Sequence, residues 1–120
     1  MENNIKLLDG SMSYPLELDG YNLNNRLWTG DALINNPELI KKIHKGYINS
    51  GADYLLTSTY QISYDILREQ GINSEKIKEV FQKSLDLAKN AIMESKTKKV
   101  IKIVASLGPY ASYNKNASEY

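Results

Sequence analysis

Cysteine is absent from all 120 residues, which excludes disulfides and thiolate metal sites built from this chain. Histidine occurs once, at His44, and no second ligand stands near it at metal-binding spacing. His44 therefore reads as a packed or half-exposed residue of a helix, and no metal ligand is assigned. An excess of one charge is missing too. The chain carries 15 Lys and Arg against 14 Asp and Glu, so neither a basic stripe for nucleic acid nor an acidic tail is present. No apolar run approaches the roughly 18 residues that a bilayer span requires. Nucleic acid and membrane are thus excluded as expected partners. The opening MENNIKLLDG lacks a basic segment followed by an apolar one, so no secretory signal is expected and a cytoplasmic location is. Neither a Ser-His-Asp set nor a glycine-rich phosphate loop occurs, and no catalytic residue is assigned.

What is present has the composition of a globular domain, 42% hydrophobic and 24% charged, in a length that supports one core. Ile5 to Leu8 is a short strand candidate running into Asp9-Gly10. Residues 10 to 36 read as a long irregular segment rich in Gly, Asn, Asp and Ser, and loops of that length are often functional. Asn36, Pro37 and Glu38 then announce a helix by cap, first-turn proline and first-turn acid. Leu39, Ile40, Ile43, Tyr47 and Ile48 give it one apolar face, and Gly51 ends it. Asp53 to Ser58 reads as a strand, Ser63 to Gln70 as a short helix stopped by Gly71. Ser74 caps a longer helix that buries Ile77, Val80, Phe81, Leu85, Ala88 and Ile92, with Lys76, Lys83 and Lys89 on its wet side. Val100 to Ala105 is β-branched and mostly apolar, hence a third strand.

Strands alternating with amphipathic helices mean an α/β fold of parallel βαβ units with right-handed crossovers. Chemistry in such folds gathers beyond the carboxyl ends of the strands. Three segments qualify: Asp9 to Glu17, Ser58 to Ser63, and Ser106 to Tyr120. The opposite connections, such as Ser50-Gly51-Ala52, are short and plain.

Four blocks, LLDGSMSYPLE, LW, NPELIKKIHKGYINSGADYLLTSTYQ and ASLGPYASYNKNASEY, follow one another in register. Together they resemble the homocysteine S-methyltransferase family, particularly its S-methylmethionine-dependent branch, from Leu7 to Tyr120. The resemblance implies the amino-terminal part of a (β/α)8 TIM barrel, with residues 1–120 supplying about three of eight strands. It implies transfer of a methyl group from S-methylmethionine or S-adenosylmethionine to homocysteine, giving methionine. It also implies zinc, held in the family by three cysteines that bind the homocysteine thiol as thiolate. Those cysteines have no counterpart here, so no zinc is expected on this chain. An inactive remnant or a subunit of a split protein is the alternative, with the carboxy-terminal half of the barrel or a second copy as its partner.

On the same resemblance Asp9 and Gly10 are substrate-binding, the aspartate accepting from an ammonium and the glycine admitting close approach. A tight Asp-Gly turn is the plainer reading. Glu17 either pairs with an ammonium or braces its loop. Thr57 and Ser58, with Thr59, Tyr60 and Gln61, either bind a carboxylate or cap the following turn. Ser106 faces the site while Gly108-Pro109 sets a turn before Tyr110, and Glu119-Tyr120 close the block. Ser11, Tyr14, Pro15 and Asn116-Ala117 depart from the family pattern. Trp28 is a packing anchor. The purified chain is expected to give no methyl transfer between S-methylmethionine and homocysteine; zinc-dependent turnover by these 120 residues alone overturns that expectation.

Overall fold

The computed structural model describes residues 4–109. Seven elements follow one another: α1 (Ser13–Leu18), α2 (Thr29–Asn35), α3 (Pro37–Asn49), β1 (Tyr54–Leu56), α4 (Tyr64–Glu69), α5 (Ser74–Ser95) and β2 (Lys102–Val104). β1 and β2 pair in parallel with Leu55 opposite Ile103. The strand expected over Ile5–Leu8 is realised as an extended segment joined to β1 by a single parallel bridge, Leu8 to Tyr54. β1 is therefore central, and the three extended segments run the same way, as the alternating pattern predicts.

The helices form for the reasons legible in their sequences. Pro37 occupies the first turn of α3, whose buried face is Ile40, Ile43, His44 and Ile48. Gly51, at φ 105°, then turns the chain into β1 in a conformation that favours glycine. Ser63 caps α4 by accepting from the Ile66 amide. The cap of α5 is Asn73, one residue before the expected Ser74, because the Asn73 side chain reaches the Lys76 amide. Lys76, Lys83 and Lys89 are exposed as expected.

The segment 10–36 is not irregular throughout: it holds α1 and α2. Helices of six and seven residues are too short to show a periodic face, and neither has a side-chain cap. Pro15 falls where the helix has no amide partner to lose. Burial of Leu16, Ala32 and Leu33, each 0% exposed, holds these turns instead of propensity. Gly30 is part of that fit, since a Cβ there would lie 2.2 Å from Cγ2 of the buried Ile62.

Two apolar clusters result. The larger joins α1 to α5 through residues such as Leu16, Leu33, Ile40, Leu67 and Ile77. The smaller packs Ile48, Ala88 and Ala91 on Leu55, with Ile101 and Ile103 beside it. Helices thus cover one face of the sheet. On the other, Leu8 and Val104 remain exposed. At the amino ends of the strands Asp53 ties the sheet together. It accepts from the Leu7 amide at 2.8 Å and from Lys99 Nζ at 3.0 Å, while Lys99 also donates to the Gly51 carbonyl. The Leu7 amide first, and the Lys99 ammonium next, hold the Asp53 carboxyl below its usual range.

His44 is fully buried and neither ring nitrogen has a hydrogen-bond partner. Burial pushes it down from 6.5 to about 4. The unfolded chain therefore takes up a proton between those values that the folded chain refuses, and folding weakens as pH falls through that window. By the usual conversion the loss saturates near about 3 kcal/mol. His44→Leu is expected to gain stability over the parent progressively from pH 6.5 to pH 4, measured by urea unfolding; a gap that does not widen with acid refutes the assignment.

Candidate functional site

A cavity of about 420 Å³ opens at the carboxyl ends of the strands. Asp9, Gly10, Thr57, Ser58 and Ser106 all line it, together with Ser11, Met12, Tyr60 and Gln61. Five of the six residues singled out in the sequence thus share one rim. Glu17 does not join them. It sits exposed on α1 and borders a separate depression with Tyr21, Asn24 and Trp28. Tyr110, Asn116, Ala117, Glu119 and Tyr120 lie outside the described residues.

Asp9 is placed by the ladder between the first segment and β1. Its amide donates to the Tyr54 carbonyl at 3.0 Å. The next rung of a parallel ladder would carry the Leu56 amide to the Asp9 carbonyl. The carboxylate takes that amide instead, with both oxygens at 3.2 Å. Asp9 is only 9% exposed, and burial pushes its carboxyl up to about 6 despite the Leu56 amide, which acts the other way. The fold therefore spends stability to keep this charge at neutral pH, which marks it as a candidate for function.

Gly10 lies against Tyr47 of α3. A Cβ there would meet Tyr47 Oη at 2.9 Å, and that hydroxyl donates to the Ser11 carbonyl. Ser58 is 5% exposed and its hydroxyl has no partner. A buried, unpaired hydroxyl on a cavity wall is costly unless something binds it. Thr57 and Thr59 hydroxyls lie 2.8 Å apart; Thr57 Oγ1 accepts from the Ser106 amide at 3.0 Å, and Thr59 Oγ1 donates to the Ser106 carbonyl at 2.8 Å.

Gln61 and Thr29 complete the wall. The Gln61 amide oxygen accepts from both the amide and the hydroxyl of Thr29, at 3.1 and 2.9 Å, which leaves its Nε2 for a ligand. Thr29 carried no sequence signal. The residue before it, Trp28, stands at φ 52°. A bulky side chain in that region costs on the order of 1–3 kcal/mol.

The sequence model for "Homocysteine S-methyltransferase" matches residues 6–120. Homocysteine S-methyltransferase of Escherichia coli K12 is 34% identical over 123 residues, covering 99% of this chain and 40% of the relative. Homocysteine S-methyltransferase 1 of Arabidopsis thaliana is 36% identical over 124 residues, covering 95% of this chain and 38% of the relative. The crystal structure of the homocysteine methyltransferase MmuM from Escherichia coli in its metallated form superposes with a TM-score of 0.86 at 33% identity, over 99% of this chain and 43% of that one. The chain thus spans about 40% of the length of the relatives it matches.

A raised Asp9 means that the folded chain holds this proton more tightly than the unfolded one. Its contribution is favourable below about pH 4 and is lost as pH rises through about 6. Asp9→Asn keeps an acceptor for Leu56 and removes the charge. It is expected to raise the melting temperature at pH 7.5 and not at pH 4; equal effects at both values contradict the buried charge.

Proposed function

The chain belongs to the homocysteine S-methyltransferase family, and from that premise we propose that the rim cavity holds the amino-acid end of homocysteine. Asp9, ionised at neutral pH, pairs with the ammonium. The free Ser58 and Ser106 hydroxyls and Gln61 Nε2 receive the carboxylate, and Gly10 leaves the backbone open to approach. The thiol then projects toward the uncovered side of the sheet. The single observation that carries this reading is a buried carboxylate and an unpaired buried hydroxyl facing one cavity.

The reaction proposed for the whole protein is methyl transfer from a sulfonium donor, S-methylmethionine or S-adenosylmethionine, to that thiol. The thiol gives up its proton to solvent, and the resulting thiolate sulfur forms a bond to the methyl carbon as the donor's carbon–sulfur bond breaks, so that a neutral thioether leaves. Three consecutive strands of an eight-stranded barrel, in one partial domain, are the architecture in which we place the site. The resemblance sets a zinc-held thiolate at the centre of this chemistry. The chain has no cysteine, and among the described residues no three ligating side chains converge. These residues do not fit such a centre, and nothing assigned to them runs through a metal. Their part is to bind and orient the acceptor.

A second reading, amino-acid or partner-chain binding without turnover, draws on the exposed sheet face at Leu8 and Val104, 57% and 39% exposed. A second copy or a chain carrying further strands would cover it. Among the described residues no helix is long and apolar enough to cross a membrane.

Calorimetric titration with homocysteine tests the first reading. Affinity is expected to be highest near pH 7.5 and to fall as pH drops below about 6, where Asp9 takes up its proton. No binding, or an affinity unchanged between pH 7.5 and pH 5, overturns it.

A further inference from the structure

The hydrogen bonds around Thr57, Thr59 and Ser106 have a fixed direction. The Ser106 amide can only donate, so Thr57 Oγ1 accepts from it. The Ser106 carbonyl can only accept, so the single proton of Thr59 goes there. Thr59 Oγ1 then has no proton for Thr57, and Thr57 must donate its own across the 2.8 Å between the two hydroxyls. The circuit closes on the backbone of one residue: Ser106 N–H to Thr57, Thr57 to Thr59, Thr59 to Ser106 C=O.

Register explains why the circuit sits there. The last backbone rung between β1 and β2 runs from the Thr57 amide to the Val104 carbonyl at 3.0 Å. Continued, the ladder would carry Ser106 N–H to the Thr57 carbonyl and Thr59 N–H to the Ser106 carbonyl. Both rungs are made by hydroxyls, as the Asp9 carboxylate makes the rung to Leu56. The amide and carbonyl of Ser106 are thus held by side-chain oxygens at the place where Thr57, Ser58 and Ser106 line the cavity.

We propose that Thr57 and Thr59 are positioning residues, a closed hydroxyl latch that contacts no ligand itself and holds Ser58 and Ser106 as the two hydroxyls left free for one. Thr57 thereby leaves the set of donors to a ligand carboxylate, since its one proton is given to Thr59. The assignment rests on the homocysteine reading for the identity of the ligand. The latch itself rests only on geometry.

Thr57→Val, Thr59→Val and the conservative Thr57→Ser and Thr59→Ser are compared with the parent in two measurements. Amide hydrogen exchange at Ser106 in the ligand-free chain reads the latch. Homocysteine titration at pH 7.5 reads the positioning. Each valine variant is expected to speed Ser106 exchange and to weaken homocysteine by roughly tenfold, the size of one lost hydrogen bond, and each serine variant to restore both. Unchanged Ser106 exchange in both valine variants overturns the latch. Faster exchange with unchanged affinity overturns the positioning role. A protected Ser106 amide in a parent that does not bind homocysteine overturns the homocysteine reading, and ligand positioning with it. Should the valine variants fail to fold, slowly exchanging hydroxyl protons of Thr57 and Thr59 in the parent decide the latch by NMR, and their absence overturns it.

Discussion

At the carboxyl end of this sheet, side chains replace the backbone in the hydrogen-bond ladder. The Asp9 carboxylate binds the Leu56 amide, and the hydroxyls of Thr57 and Thr59 hold the amide and the carbonyl of Ser106. A parallel ladder that simply continued would bring the three chain segments together at backbone spacing and leave no room for a ligand. One that simply stopped would leave buried amides and carbonyls unpaired, at a cost of about 1–3 kcal/mol each. Substituting side-chain atoms satisfies the peptides and opens the space. The placing of the Asp9 carboxylate on the Leu56 amide and of Ser106 on the two threonine hydroxyls follows from that substitution.

The two ends of the strands handle charge in opposite ways. At the amino ends Asp53 is stabilised in its ionised form, tied to the Leu7 amide and to Lys99. At the carboxyl ends Asp9 is destabilised in its ionised form by burial. The same residue type thus braces one end and is held ready at the other, the division expected of a fold whose sites lie beyond the carboxyl ends of its strands. His44 adds a third case. Its unpaired nitrogens sit inside the α3 packing and it lines neither the rim cavity nor the depression at Glu17, so its neutral burial concerns stability.

Much of the frame was legible in the sequence because it is periodic. The apolar face of α3, the glycine after it and the wet lysines of α5 are all local signals, and each was found where expected. α1 and α2 were missed because six or seven residues hold less than two turns of pattern, and their stability comes from contacts with distant residues. The site was half legible. Asp9, Gly10, Ser58 and Ser106 stand together at the rim. Glu17 belongs to the same sequence block, yet its helix turns it outward to another depression. The different situations of neighbouring Thr57 and Ser58 cannot be read from their identities. They depend on register between strands nearly fifty residues apart, and a one-residue slip would exchange the two faces. Thr29 is invisible for a similar reason, since its partner Gln61 lies 32 residues away in the chain.

Gly10 and Tyr47 meet closely enough that any side chain at position 10 would displace the ring. Tyr47 belongs to α3, whose seat is fixed by apolar packing far from the rim. The position of Gly10 on the cavity wall is therefore set by a helix behind the loop, as a calliper jaw is set by its screw. A core substitution that shifts α3 would be felt at Gly10, with no alteration of any group that lines the cavity.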